Sequence, residues 1–214
     1  MNTAAPRWYF DFISPFAYLQ WPKIKALMSE RDVVPVPILL AAVLDTRGQK
    51  GPAEIPSKRE FTYRHALWQA KRDGVPLRFP PTHPFNPLPA LRLAIASGPS
   101  VGAIDAIFDW VWAQGRAADS AEALQPLCDA LCVDPALLAH PVVKTTLREN
   151  TETALRIGVF GVPTLAIDGD DGVDLFWGND AHAFALEALR DPGLLRDPEM
   201  RRLASLPVGI ARAG

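Results

Sequence analysis

The chain has 214 residues, and its 22 Lys and Arg nearly balance 24 Asp and Glu, which gives a formal net charge of -2. With 49% hydrophobic residues, a chain of this length can bury roughly 70% of its unfolded surface and fold without disulfides or metals. The balanced charge excludes the broad positive field of a general nucleic-acid binder. We therefore expect a small-molecule partner and no nucleic acid.

The two cysteines and the longest apolar stretch indicate whether the protein has disulfides and whether it crosses a membrane. Cys128 and Cys132 are spaced for one face of a helix, so we expect packing residues rather than a disulfide or a metal site. Residues 33–44 are apolar but contain Pro35 and Pro37, and they fall short of the ~20 residues that span a bilayer. No secretory segment is expected before the first strand. The sequence predicts a soluble, cytoplasmic protein that does not interact with membranes.

The first forty residues predict a strand, a helix and a second strand. Residues 8–12 have strand character, and Ser14 followed by Pro15 is typical of a helix N-cap and first helical position. The helix is predicted to run to about Met28, and residues 33–40 form the next strand. A helical connection favours a parallel pair of strands.

The middle of the chain is predicted to be helical. A charged amphipathic helix over 58–72 leads into a proline-rich connector over 76–87. Trp110 and Trp112 are expected in the core or in a pocket wall, because no basic stripe accompanies them. The further predicted helices span 88–96, 103–114, 120–131 and 143–157.

After residue 157 the pattern returns to strands. Residues 164–167 and 173–177 have β character around the hairpin signal at 168–172. Asn179 and Asp180 can cap a last helix that runs to about residue 189. The order of elements predicts an α/β, thioredoxin-like fold with an inserted all-helical domain. Its predicted parts are 5–44 with 158–190 (thioredoxin-like), 45–157 (inserted helices) and 191–214 (C-terminal tail).

Three separated motifs carry a family resemblance. They are the segments 10–19, 158–164 and 176–180, which begin Phe-Asp-Phe-Ile-Ser-Pro, Gly-Val-Phe-Gly-Val-Pro and Phe-Trp-Gly-Asn-Asp. Together they resemble the 2-hydroxychromene-2-carboxylate isomerase family, glutathione-dependent relatives of kappa-class glutathione transferases, over about residues 7–190. Ser14 and Ala17 stand where related disulfide oxidants have a Cys-x-x-Cys motif, so dithiol exchange at this site is excluded.

The resemblance implies a glutathione site. Ser14 is then the catalytic serine, and the backbone at Val162 and a cis Pro163 pairs with the extended tripeptide. Each motif also has an ordinary structural interpretation, as a helix start, a turn proline or an N-cap. The family likeness further implies glutathione binding by Trp177, Gly178, Asn179 and Asp180.

The substrate implied by the resemblance is a small aromatic carboxylate, and a homodimer is expected. Candidate substrate residues are Lys50, Asn86 and Tyr18, although the loop 44–50 lacks the Asn-Pro pattern associated with naphthalene-pathway enzymes. Aromatic side chains of the first helix and of the helical region could line a cleft between the domains, and each is individually more typical of core packing.

The surroundings of Ser14 argue against an acyl-transfer nucleophile. No Gly-x-Ser-x-Gly elbow is present, and His65, His83, His140 and His182 are scattered along the chain. A serine at a helix start can instead donate a hydrogen bond to a bound thiolate. The implied reaction is thiolate addition, ring opening, cis-trans isomerisation and release of glutathione unchanged. Two alternatives stay open: a kappa-like transferase that consumes glutathione, and a non-catalytic thioredoxin-like binding module.

Overall fold

A four-stranded mixed sheet organises the chain, of which the computed structural model describes residues 4–169 and 172–210. The strands lie in the order β2-β1-β3-β4. As predicted, β1 and β2 are parallel, whereas β3 is antiparallel to β1 and to β4. This confirms the thioredoxin-like arrangement. The strands are β1 (Arg7–Phe10), β2 (Val34–Pro37), β3 (Thr164–Gly169) and β4 (Gly172–Trp177).

The helices follow the predicted order with two local differences. The second strand ends at Pro37, and a short helix begins at Leu40, whose N–H is bonded to the Asp11 carboxylate at 2.9 Å. The helix predicted over 103–114 changes to a π-helical segment at Asp109–Ala113. The helices are α1 (Pro15–Met28), α2 (Leu40–Thr46), α3 (Pro56–Asp73), α4 (Leu88–Ala96), α5 (Val101–Phe108), α6 (Ala121–Ala130), α7 (Pro141–Arg156), α8 (His182–Arg190) and α9 (Pro198–Ala204).

One aromatic core joins the sheet to the inserted helices. Trp8 and Phe12 come from the first strand and the loop after it, and their rings lie 6.3 and 4.7 Å from Phe108 of α5. Trp112 is fully buried, as predicted, and its Nε1–H donates to the Phe12 carbonyl oxygen at 2.8 Å. The inserted helices therefore pack directly against the segment that leads into α1.

The other face of the sheet is covered by α7. Ala154 of this helix is fully buried in a second apolar cluster with Tyr9, Val43 and Ala166. A sheet of this kind needs a helix on each face to bury both sets of side chains. The predicted insertion, 45–157, thus includes a helix that packs on the thioredoxin-like sheet.

Three further expectations concern the two cysteines, the C-terminal tail and the absence of a membrane span. Cys128 is buried as predicted, but Cys132 is exposed, because it lies beyond the end of α6 in a left-handed conformation. The tail contains α9, and the hairpin turn at 170–171 and residues 211–214 lie outside the described residues. Within the described part of the chain, no helix combines the length and hydropathy needed to cross a membrane.

Candidate active site

Ser14 is the N-cap of α1, as predicted. Its backbone is extended, with φ -91° and ψ 115°, and Pro15 occupies the first helical position. The Ser14 Oγ accepts a hydrogen bond from the Ala17 N–H at 3.2 Å. A serine hydroxyl has one donor and two acceptor sites, so this bond leaves the hydroxyl proton available to a bound anion. With 6% exposure, Ser14 offers that proton from a largely desolvated position.

The loop before Ser14 is held by a buried carboxylate. The Asp11 side chain accepts from the Ile13 N–H at 3.1 Å and from the Leu40 N–H at 2.9 Å, and its main-chain oxygen accepts from the Ser14 N–H at 3.1 Å. Asp11 is fully buried. Burial raises the pKa of its carboxyl to about 7, against the opposing effect of the backbone hydrogen bonds. Asp11 therefore joins the loop before Ser14 to the start of α2.

The Val162–Pro163 peptide bond is cis, as predicted, and it lies at the same end of the sheet as Ser14. Tyr9 is paired with Thr164, so the end of β1 and the beginning of β3 meet there. The Pro163 carbonyl oxygen accepts from the Gly178 N–H at 2.8 Å, and the Gly178 oxygen accepts from Gln20 Nε2 at 3.2 Å. The three motifs of the sequence are thus connected through α1.

Trp177 lies exposed beside the cis proline loop. Its side chain is 53% exposed, and its ring is 5.2 Å from that of Phe160. A Cβ added at Gly161 would be 2.5 Å from the Trp177 Nε1, so only glycine lets the ring approach the backbone this closely. The loop and the indole therefore pack directly against each other.

Asn179 does not cap the last helix, contrary to the prediction. The helix α8 begins at His182 with Ala181 as its N-cap and no side-chain cap bond. The Asn179 side chain is instead buried, where its Nδ2 donates to Gln69 Oε1 at 2.7 Å and its Oδ1 accepts from Lys23 Nζ at 2.9 Å. These partners come from α3 and α1, and they hold the loop after β4 against both helices.

A polar cleft with a volume of about 380 Å³ opens at this junction. Asp73 lies beside it, forms hydrogen bonds with the Arg72 guanidinium at 2.6 and 3.0 Å and lies 3.5 Å from the Lys23 Nζ. The Arg72 guanidinium lowers the pKa of the Asp73 carboxyl by hydrogen bonding. Two cations and two carboxylates therefore surround the cleft. It is lined by Lys23, Gln69, Arg72, Asn179, Asp180, His182, Ala183 and Leu186.

His182 adds an unsatisfied polar atom to the cleft. Its side chain is buried, with 8% exposure, and its Nδ1 has no hydrogen-bond partner among the described residues. Burial and the nearby Lys23 lower the pKa of the imidazole, which favours its neutral form. A buried nitrogen without a partner calls for a ligand or a water. The sequence motifs did not reveal this residue, nor Lys23, Gln69 and Arg72, because the cleft brings together three distant helices.

The three candidate substrate residues occupy different environments. Tyr18 is buried, with 7% exposure, and its hydroxyl donates to the Pro76 carbonyl oxygen at 2.5 Å. Burial raises the pKa of Tyr18 to about 12. Its hydroxyl is therefore neutral and already bonded to the connector, which does not favour a contact with the substrate. Lys50 is exposed on the loop after α2. Asn86 is exposed before α4, and its Oδ1 accepts from the Leu88 N–H at 3.2 Å.

An aromatic row on α3 lies next to α1. The Phe16 ring is 5.8 Å from His65, which is 5.9 Å from Trp68. Trp68 is 56% exposed and Phe61 is 70% exposed. Trp21, another aromatic side chain of the first helix, lies in the core, where its Nε1–H donates to Asp105 Oδ1 at 2.6 Å.

Comparison with known proteins agrees with this geometry. A 2-hydroxychromene-2-carboxylate isomerase of Pseudomonas putida is 28% identical over 189 residues, which cover 84% of this chain and 91% of that protein. Glutathione s-transferase kappa 2 of Caenorhabditis elegans is 24% identical over 214 residues, covering 89% and 94% of the two chains.

A solved 2-hydroxychromene-2-carboxylate isomerase structure superposes with a TM-score of 0.73 at 25% identity and covers 92% of this chain and 98% of its own. The model of the DsbA-like thioredoxin domain matches residues 7–190, which is most of the sequence. The chain therefore belongs to the DsbA-like thioredoxin domain family.

Proposed function

We propose that the protein is a glutathione-dependent isomerase that acts on 2-hydroxychromene-2-carboxylate or a similar aromatic catabolic intermediate. The relatives named as isomerases and the kappa-class transferase support an isomerase or glutathione-linked role on this fold. The observation that carries the proposal is the polar cleft at Asn179, which the α1 helix connects to Ser14.

The charges of the cleft fit the γ-glutamyl end of glutathione. That end is a zwitterion with one carboxylate and one ammonium group. Lys23 and Arg72 suit the carboxylate, and Asp180 suits the ammonium group. The unpartnered Nδ1 of His182 is a further polar contact that a ligand of this kind would satisfy.

The axial distance from Lys23 to Ser14 exceeds the length of the extended tripeptide, and the reach of the Lys23 side chain toward the helix N-terminus makes up the difference. Lys23 lies roughly 14 Å along the helix axis from Ser14, and side chains on a helix point back toward its N-terminus. An extended tripeptide spans about 10 Å. The Val162 and Pro163 backbone immediately precedes β3, beside Trp177 and Gly178, and the middle of such a peptide would pair with it there.

Ser14 would hold the ligand sulfur in its anionic form. The α1 N-terminus contributes about 0.3–1 kcal/mol toward an anion, and a hydroxyl hydrogen bond to a charged group adds roughly 1.5–3 kcal/mol. Lowering a thiol pKa by about two units takes ~2.7 kcal/mol. The two effects together reach that value, whereas the helix dipole alone does not.

Bound glutathione would supply a thiolate that adds to the unsaturated substrate and leaves again after ring opening and rotation. The protein's own part is to orient both reactants. The exposed ring of Trp68 and the partly buried ring of Phe16 offer a surface for the aromatic ring. Lys50 and Asn86 stay candidates for contacts to the substrate carboxylate.

Mass balance tests the proposal. Purified protein is incubated with substrate and less than one equivalent of glutathione, and the products are analysed by mass spectrometry. The isomerase predicts many turnovers with glutathione recovered unchanged and the trans-2-hydroxybenzylidenepyruvate type of product. A conjugate formed in proportion to lost glutathione would instead indicate the kappa-like transferase.

Calorimetry separates both enzymes from the non-catalytic binding module. Binding of glutathione at or below millimolar concentration supports the proposed site, and no binding at that concentration favours the module. The homodimer and the cytoplasmic location stay predictions, the first of which light scattering of the purified protein would test.

A further inference from the structure

The proline-rich connector after α3 contacts the catalytic loop through a histidine. The His83 Nε2 lies 2.9 Å from the main-chain oxygen of Ile13. That oxygen belongs to the peptide group whose N–H is part of Ser14, and this N–H donates to the Asp11 oxygen at 3.1 Å. The peptide group that enters the helix cap is therefore held at both of its polar ends.

The partners of His83 determine which nitrogen carries the proton. A carbonyl oxygen only accepts hydrogen bonds, so the Nε2 must be protonated to bond with Ile13. The Tyr63 hydroxyl lies 2.8 Å from the Nδ1 and 2.7 Å from the His83 carbonyl oxygen. The hydroxyl has one proton. In neutral His83 this proton is donated either to Nδ1 or to the His83 carbonyl oxygen, whereas in the charged form Nδ1–H donates to Tyr63 and the hydroxyl donates to the carbonyl oxygen. The contact to Ile13 is kept in both forms.

The ring is fixed from several sides, so its donor is well positioned. Phe79, Phe85 and Trp112 pack around it with ring centroids 5.8, 6.2 and 5.5 Å away. The Tyr63 hydroxyl in turn accepts from the Arg59 Nε at 3.1 Å. A donor supported in this way can hold a partner to a small fraction of an ångström.

We propose that His83 is a positioning residue for Ser14. It fixes the orientation of the Ile13–Ser14 peptide and thereby the direction in which the serine hydroxyl meets a bound sulfur. This inference rests on the proposed function, in which that hydroxyl stabilises a thiolate. A small misplacement of a reacting group can lower turnover by about a hundredfold, so a fixed peptide has kinetic value.

Two substitutions at His83 separate donation from packing. His83→Leu keeps a side chain of similar volume and removes the donor, whereas His83→Gln keeps an amide N–H at about the same reach. Ultraviolet absorbance of the thiolate, recorded against pH, gives the thiol pKa of bound glutathione. We expect that pKa to rise by about one unit and kcat to fall about tenfold in His83→Leu. His83→Gln should restore both.

Binding of S-methylglutathione, which has no ionisable thiol, distinguishes this inference from the proposed function. Its Kd should be nearly the same in wild type and His83→Leu. If wild type binds neither glutathione nor its S-methyl derivative, the proposed function fails and the role of His83 fails with it. If wild type binds both and His83→Leu leaves thiol pKa and kcat unchanged, only the role of His83 is overturned. Equal losses in His83→Leu and His83→Gln would also overturn it.

Tyr63→Phe provides a second variant should His83→Leu not fold, because it keeps the His83 side chain but removes the partner that favours a proton on Nε2, and so weakens the Ile13 contact. It removes the partner of Nδ1 and keeps the ring that packs 4.6 Å from Phe79. We expect a smaller rise of the bound thiol pKa in the same direction. An unchanged thiol pKa and kcat in a folded Tyr63→Phe protein would contradict the proposal.

Discussion

The ammonium group of Lys23 lies 2.9 Å from the side-chain oxygen of Asn179, and this bond joins α1 to the loop after β4. The same asparagine donates to Gln69, so three segments of the chain meet at one buried amide. The cleft at this junction and Ser14 at the start of the helix are therefore parts of one rigid arrangement.

Replacing Ser14 by alanine should separate stability from activity. The loss of an N-cap costs about 1 kcal/mol, so the fold should persist, while turnover should drop about tenfold or more because the thiolate loses its donor. Ser100→Ala is a matched control, since Ser100 caps α5 with the same 3.2 Å bond. Urea unfolding and initial rates give the comparison. Equal activity of the two variants would argue against a role for the Ser14 hydroxyl.

Lys23→Gln should weaken glutathione binding. Lys23 is partly exposed, so we expect a loss of roughly 1 kcal/mol, about fivefold in Kd, which calorimetry can resolve. Lys25→Gln is the control on the same helix, because Lys25 has similar exposure and pairs with Asp105 away from the cleft. Similar Kd values for both variants would show that the cleft does not hold the γ-glutamyl group.

His182→Leu should stabilise the free protein and weaken the binding of glutathione. Removing a buried nitrogen that lacks a partner should raise the free energy of unfolding by about 1 kcal/mol, and the Kd for glutathione should rise severalfold. His140→Leu, at an exposed histidine outside this cleft, is the comparison variant; it should lower the stability, because the His140 side chain accepts from the Val142 N–H at the start of α7, and it should leave the Kd unchanged. Lower stability with unchanged affinity would contradict the assignment of His182.

Asp11 predicts a specific pH dependence of stability. Its pKa of about 7 in the folded protein exceeds the ordinary value of 3.8, so its contribution is fully present below about pH 4 and is lost as the pH rises through 7. One proton limits the slope to about 1.4 kcal/mol per pH unit.

Urea unfolding of wild type and Asp11→Asn between pH 4 and 8 isolates this contribution. The amide oxygen replaces only one of the two acceptors, which lowers stability by an amount that does not vary with pH. As the pH rises, the wild type loses stability and Asp11→Asn does not. The free energy of unfolding of the variant should therefore increase relative to that of the wild type. A constant difference over this range would contradict the raised pKa.

Local signals made Ser14 and the strands predictable. A serine followed by proline specifies a helix start within a few residues, and the cis bond at Pro163 followed from the family motif. The thioredoxin-like order of elements followed from the alternation of strand and helix patterns in the same way.

The roles of Asn179 and His83 could not be predicted in this manner. The partners of Asn179 are Lys23 and Gln69, and that of His83 is Ile13, all of them far away in the sequence. Asn179 has the composition of an N-cap, but a long-range bond to a buried glutamine replaces that local role. Such contacts depend on how α1, α3 and the connector pack.

The requirement for a thiol is the most direct test of the whole account. Dialysed protein is assayed for isomerisation of 2-hydroxychromene-2-carboxylate without any low-molecular-weight thiol, and glutathione is then added. We expect no measurable rate before the addition and a saturable rate after it. An undiminished rate in the dialysed protein would contradict the claim that glutathione supplies the reacting sulfur.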